Sequence, residues 1–294
     1  MLSLAKILVP VDFSDRSLAA ARNAISLARH FHSEILLLHV VPPLHYEISA
    51  IEGGAQFVSS RELSADIADR AWGDLNSFLS SEFDCIPAQR ILLEGNPALK
   101  IVSMAHAENA SLIVMSTRGY GPFRRFLLGS VTAKVLHDAE CPVWTGAHLS
   151  EAPAMDAVPL RRVACAVDLG PHSRVTLCWG ARMAAEFGAE LILVHANTLP
   201  EVTGHGGQFF APEWRAAVLE RATEEIAQLQ QSLGTQAEIY VESGDVAKVV
   251  RQAAERFGAD LLVVGRSAAS GLAGRLRTNA YAIIRESPCP VVSV

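Results

Sequence analysis

Between Met115 and Thr132 the chain reads Met-Ser-Thr-Arg-Gly-Tyr-Gly-Pro-Phe-Arg-Arg-Phe-Leu-Leu-Gly-Ser-Val-Thr, with glycines at 119, 121 and 129. The chemistry such a stretch offers is anion binding. Glycines let the backbone approach a ligand closely, unpaired N–H groups at a helix start point outward, and the helix dipole favours negative charge. Ser130 adds a hydroxyl at the helix cap position, and Arg118, Arg124 and Arg125 place cations nearby. The inferred ligand is a phosphate group. No carboxylate pair, Ser-His-Asp arrangement, Lys-bearing P-loop or metal cluster accompanies the loop, which argues against an enzyme. The pairs Arg124-Arg125 and Arg161-Arg162 read as solvated charge and stay outside the candidate site.

Elements on either side must position this loop. Leu112-Ile-Val-Met115 reads as a buried parallel strand, and Ser130 to Leu136 as the start of a helix. Lys6-Ile-Leu-Val-Pro-Val11 is a first strand, weakened near its end by Pro10 and followed by Asp12. Ser14 caps a helix whose apolar positions are Leu18, Ala21, Ile25 and Ala28. Ile35 to Val40 is the second strand, and Pro42 to Arg61 an irregular loop. A helix from about Leu63 puts Ile67, Ala71, Leu75 and Phe78 on one face. Arg90 to Leu93 is the third strand. Asn96-Pro97 then starts a helix whose buried side is Leu99, Val102 and Ala105. Pro142 to Thr145 is a short fifth strand.

Strands alternating with helices imply a parallel α/β sheet with right-handed crossovers. Ligands of such sheets sit beyond the carboxyl ends of the strands, where the order reverses. With the order 3-2-1-4-5, the first and fourth strands flank that point. Asp12 and the glycine loop then share one crevice. A plainer role for Asp12 is to turn or cap the strand exit.

The plan then begins again. Arg162-Val-Ala-Cys-Ala-Val-Asp168 repeats Lys6 to Asp12, and Leu191 to His195 repeats Leu36 to His39. Asp260 to Val264 repeats Ser111 to Met115, and Cys289-Pro-Val291 repeats Cys141-Pro-Val143. The expected fold is α/β: two tandem doubly wound domains, each a five-stranded parallel sheet with helices on both faces. Their bounds are read as 1–147 and 161–294, with a linker at 148–160. The second glycine loop has decayed. Gly265 is present, but Ala268 and Thr278-Asn279 stand where the first half has Gly119 and Gly129-Ser130.

Composition sets outer bounds. The chain has 294 residues, 50% apolar and 19% charged, which is globular and long enough for two domains. A net charge of -6 with no basic run makes nucleic acid an improbable partner. No segment reaches the roughly 18 apolar residues of a membrane span, and no signal peptide is seen, so the cytoplasm is expected. Five cysteines without a C-x-x-C pair read as small hydrophobes. His39 and His195 recur at equivalent strand ends, which favours a structural role over metal binding.

The spacing of Gly119, Gly129 and Ser130 resembles the G-x2-G-x9-G-[ST] loop of the universal stress protein family. Ser116 departs from its first glycine. The Val-Asp start, the Leu-Leu-His-Val second strand and the Cys-Pro-Val ending strengthen the likeness across both halves. The resemblance implies a stress-related cytoplasmic protein that binds ATP, with Mg²⁺ as counter-ion, and is not a vigorous enzyme. It implies that Asp12, beside Pro10, faces the adenine or ribose, that Val40 bonds the adenine through its backbone, and that Met115 packs near the base. Ser116, Arg118 and Gly119 would line ribose and phosphates, while Gly129, Ser130, Val131 and Thr132 would hold the phosphate tail. The final strands of the two halves are expected to pair antiparallel within the chain, and the same surfaces could support a homodimer. Competing readings are a slow ATP hydrolase and a tandem scaffold without nucleotide.

Overall fold

Every central strand of this chain is apolar on both sides, and the reason is visible in a computed structural model that describes residues 2–43, 60–84, 86–117, 128–146, 160–198, 212–266 and 278–294. In strand β1 (Lys6–Pro10), Ile7 and Val9 face one core while Leu8 faces the other. Alternate residues of a strand point to opposite faces, so a strand covered by helices twice must be hydrophobic throughout. The first half continues with helix α1 (Asp15–Phe31), β2 (Glu34–Val41), α2 (Ser60–Ser77), β3 (Ala88–Glu94), α3 (Pro97–Ala107), β4 (Leu112–Ser116), α4 (Ser130–Asp138) and β5 (Val143–Gly146). The second half repeats the order as β6 (Arg162–Ala166), α5 (Ser173–Phe187), β7 (Glu190–Asn197), α6 (Pro212–Leu233), β8 (Glu238–Ser243), α7 (Val246–Phe257), β9 (Leu261–Val264), α8 (Thr278–Glu286) and β10 (Val291–Ser293).

Within each half the strands are parallel and ordered 3-2-1-4-5, as expected. The two sheets are not separate, however. They merge into one ten-stranded sheet, β3-β2-β1-β4-β5-β10-β9-β6-β7-β8. The seam is antiparallel, with Val291 opposite Thr145, Val292 opposite Trp144 and Ser293 opposite Val143. Pairing in this way removes one exposed edge from each half. Helices α1, α2, α5 and α6 cover one face through residues such as Leu27, Leu75, Leu177 and Ile226. Helices α3, α4, α7 and α8 cover the other through Ile101, Leu136, Val250 and Ile283.

Local signals explain three of the helix starts. Ser14 accepts a hydrogen bond from the Ser17 amide, Asn96 from Leu99 and Asp245 from Lys248. The buried face of α3 keeps Ala105 as expected but is otherwise Ala98 and Ile101, while Leu99 is 58% exposed. Positions 98, 101 and 105 recur at the spacing of one helix face, which leaves Leu99 on the side away from the core. Among the described residues no helix is long and apolar enough to cross a membrane.

Candidate functional site

The carboxyl ends of β1, β2 and β4 form the rim of the first crevice. Strand β1 ends at Pro10, which has β2 beside it with Leu38 in register. The ring of Pro10 fixes φ and carries no amide hydrogen, and the chain leaves the sheet within two residues. Asp12 follows, its Oδ1 accepting hydrogen bonds from the Ser14 amide at 3.1 Å and the Ser14 hydroxyl at 2.6 Å. That turn forces Phe13 to φ 62°, the left-handed region. The plainer role of Asp12 is therefore realised: its carboxylate shapes the strand exit, and the turn places it at the crevice. His39 reinforces the same exit, with Nδ1 2.7 Å from the Val11 carbonyl oxygen. A carbonyl only accepts, so Nδ1 carries the proton.

Val40 and Met115 are buried, on β2 and β4, and pack in one core. Met115 lies opposite Thr145, and Ser116 opposite Gly146, at the end of β4. The glycine loop departs here and returns at α4. Its two ends are clasped. The Gly129 amide donates to the Thr117 carbonyl at 2.9 Å, and the Thr132 hydroxyl donates to the Ser116 carbonyl at 3.0 Å. Thr132 is buried, Val131 partly so, and Ser130 is exposed at the helix start. Arg118 and Gly119 lie outside the described residues, as do Gly121, Arg124, Arg125 and Ala268; of the described candidates, Ser116, Gly129 and Thr132 meet in the clasp, Val40 and Met115 share one core, and Pro10 and Asp12 stand at the exit of β1.

One expectation about this loop is corrected. Ser130 is not the cap of α4 but its first helical residue. Gly129 occupies the cap position in an extended conformation, φ -63° and ψ 144°, and among the described residues no side chain caps the helix. A cap residue must lie outside helical φ and ψ, and here the chain straightens one residue earlier than the serine. Among the described residues, the first-turn amides of α4 have no side-chain acceptor of the kind that α1, α3 and α7 possess.

Sequence reasoning missed Thr117 and Arg266. Thr117 is buried and supplies the carbonyl of the clasp. Nothing about a threonine after a strand announces this, since the carbonyl is common to every residue. Arg266, just after β9, is 7% exposed and sends its guanidinium into the first half. It donates to the carbonyls of Leu136 at 3.4 Å, Ala139 at 2.8 Å and Cys141 at 2.6 Å, at the C-terminus of α4. Tyr281 of α8 adds a bond from its hydroxyl to the Ala133 carbonyl at 3.2 Å. Helix α4 thus starts at the clasped loop and anchors the second half through its later carbonyls.

The second crevice repeats the design with changes. Asp168 Oδ1 accepts from the Gly170 amide at 2.9 Å and the Ser173 hydroxyl at 3.0 Å, and Leu169 takes φ 57°. His195 Nδ1 sits 2.8 Å from the Val167 carbonyl oxygen, matching His39. Both histidines therefore brace strand exits. Beside His195 lies a cavity of about 520 Å³.

Comparison with known proteins follows the same division into halves. A family model described as the Universal stress protein family matches residues 4–145 and 159–294. The chain is similar to a universal stress protein of Methanocaldococcus jannaschii, at 36% identity over 138 residues, which cover 47% of this chain and 79% of that protein. It is also similar to a universal stress protein of Mycobacterium bovis, at 27% identity over 301 residues, covering 97% of this chain and 95% of that protein. A crystal structure of a universal stress protein from Archaeoglobus fulgidus superposes with a TM-score of 0.67 at 23% identity, covering 99% of this chain and 96% of that one. Likeness at that identity shows the fold alone.

Proposed function

This chain belongs to the universal stress protein family, and from that premise we propose that its first half binds ATP and that the bound nucleotide sets the conformation or the partner of a stress-response protein. The observation that carries the reading is the clasped loop. Gly129 to Thr117 and Thr132 to Ser116 hold both loop ends at the switch point of the sheet, and α4 opens there with no side-chain cap among the described residues. Phosphate oxygens would take the first-turn amides of α4, in line with its dipole. The Asp12 carboxylate would accept ribose hydroxyls, and Met115 and Val40 would border the base. The residues present fit such a group, since the position next to the phosphates is a glycine and offers no side chain to obstruct them.

Among the described residues no cluster of three or more His, Cys, Asp or Glu side chains is placed to hold a metal ion. Mg²⁺ would therefore ride on the phosphates and water, as it commonly does. We read the protein as a nucleotide-binding component of the cytoplasm and not an enzyme, with domains at 1–147 and 161–294 about a linker at 148–160.

The test is direct. Purified protein, denatured and chromatographed, should release an adenine nucleotide or should bind added ATP in equilibrium dialysis, and Asp12→Ala should weaken that binding about tenfold, ~1.4 kcal/mol. Full-length protein that neither carries an adenine nucleotide nor binds ATP at millimolar concentration would remove this reading.

A further inference from the structure

We propose that Arg266 is a positioning residue for the nucleotide site of the first half: from the second half it sets the tilt of α4, and through that tilt the aim of the helix's first-turn amides. On the reading that those amides take phosphate oxygens, the second half is then part of the device that points them at the ligand.

Three kinds of contact hold α4, which has nine residues and is about 13 Å long. Val135 and Leu136 are fully buried in the core on that face of the sheet. Apolar packing is non-directional, so it fixes how far the helix stands from the strands and leaves its tilt open. At the start, the bonds from Gly129 to Thr117 and from Thr132 to Ser116 fix a point. A point does not fix an axis. The far end is held by Arg266, whose guanidinium donates to the carbonyls of Leu136, Ala139 and Cys141. Between the two ends, the Tyr281 hydroxyl donates to the Ala133 carbonyl. Both of these later contacts come from the second half.

Arg266 suits the task because it is rooted. Its amide donates to the Val294 carbonyl at 2.6 Å, and the Val294 amide donates to the Val264 carbonyl at 2.9 Å, so its backbone continues the β9–β10 ladder. The side chain is almost buried, and a guanidinium presents its donors as a fixed planar fork. Helix amides point along the helix axis. Hydrogen bonds weaken steeply as they bend, and a binding group must be held to within about 10–20° of its working direction. Freed at its C-terminus, α4 would swing its first-turn amides out of line with a bound phosphate. At the matching position of the first half stands Thr117, whose hydroxyl meets the Gly146 carbonyl of its own half at 3.5 Å. The guanidinium that crosses the seam is therefore a departure from the repeat.

The test is calorimetric titration of the full chain with ATP, comparing wild type, Arg266→Met and Gly180→Ala. Gly180 lies in α5, where an added β-carbon would overlap the Cys165 sulfur, on the opposite face of the sheet from α4. Its alanine variant loses stability in the same half without touching α4, which separates positioning from general loosening. Arg266→Met should weaken ATP binding about tenfold or more, and Gly180→Ala should leave it within about twofold of wild type. An unaltered affinity in Arg266→Met would overturn the proposal. So would an equal loss in Gly180→Ala, which would make the effect one of stability. Wild-type protein that binds no ATP would remove the underlying reading as well, an outcome distinct from both. Should Arg266→Met fail to fold, Arg266→Lys decides. A single ammonium cannot span the three carbonyls as a planar fork does, so ATP should bind about threefold more weakly, and an unchanged affinity there would overturn the proposal.

Discussion

Single side chains in this protein are constrained by how closely its helices approach the sheet. Gly180 in the middle of α5 shows the limit, because a methyl group added there would overlap the sulfur of Cys165 on β6. Cys165 is fully buried, and burial pushes its thiol up, so it serves as packing and not as a nucleophile. Helix propensity alone says that Gly180→Ala stabilises by about 1 kcal/mol. Packing reverses the sign. We expect a loss of about 1–3 kcal/mol in urea denaturation, largely restored by adding Cys165→Ala, and a stabilised single variant would contradict this. Some residue roles were legible beforehand. Ser14 and Asn96 announce their helices because capping chemistry is local, and paired histidines at equivalent strand ends announce a shared brace. At Leu99 and Ser130 the structure differs from the sequence expectation by one position each, for burial and capping depend on where the chain bends, and sequence spacing does not record that bend.

At the scale of elements, α4 joins the two halves and carries the candidate phosphate site. Arg266 is almost buried and spends its guanidinium on carbonyls at the C-terminus of that helix, where a cation also complements the dipole. Arg266→Met keeps the apolar stem but strands those carbonyls, and we expect a loss of about 3 kcal/mol in chemical denaturation. A change below about 0.5 kcal/mol would mean that solvent replaces the guanidinium freely. Tyr281 contributes a pH dependence. Burial pushes its phenol above its ordinary value of 10.0, with the Asp138 carboxylate adding to the effect. A raised acid favours the folded state's protonated form, so stability is intact below pH 10 and falls as pH rises beyond it. Tyr281→Phe should flatten that alkaline decline relative to wild type, and identical slopes would refute the assignment. The strands and helices themselves were largely legible, because double-faced burial writes continuous apolar runs and helices write a 3.6-residue period. Arg266 was not, since an arginine beside a glycine loop looks the same whether it meets solvent or a helix terminus.

For the whole molecule, the antiparallel seam turns a tandem repeat into one sheet with a core on each face that runs through both halves. Repetition of strand, aspartate and Cys-Pro-Val segments made the duplication readable, and the short final strands suggested their pairing. The merging of two sheets into ten strands follows from that pairing and from no local signal. A continuous core predicts one cooperative thermal transition, with calorimetric and van't Hoff enthalpies equal; two resolved transitions would show that the halves unfold independently. Within that single body the halves have diverged, one keeping Gly129-Ser130 at its helix start and the other carrying Thr278-Asn279. The claim that the first half is the ATP site is tested most directly by calorimetric titration of the full chain with ATP, beside the Gly129→Val variant. About one ATP per chain is expected, with at least tenfold weaker binding in the variant, about 1.4 kcal/mol, and the fold unchanged by circular dichroism. An unaltered affinity in Gly129→Val, or two equivalent ATP sites per chain, would contradict it.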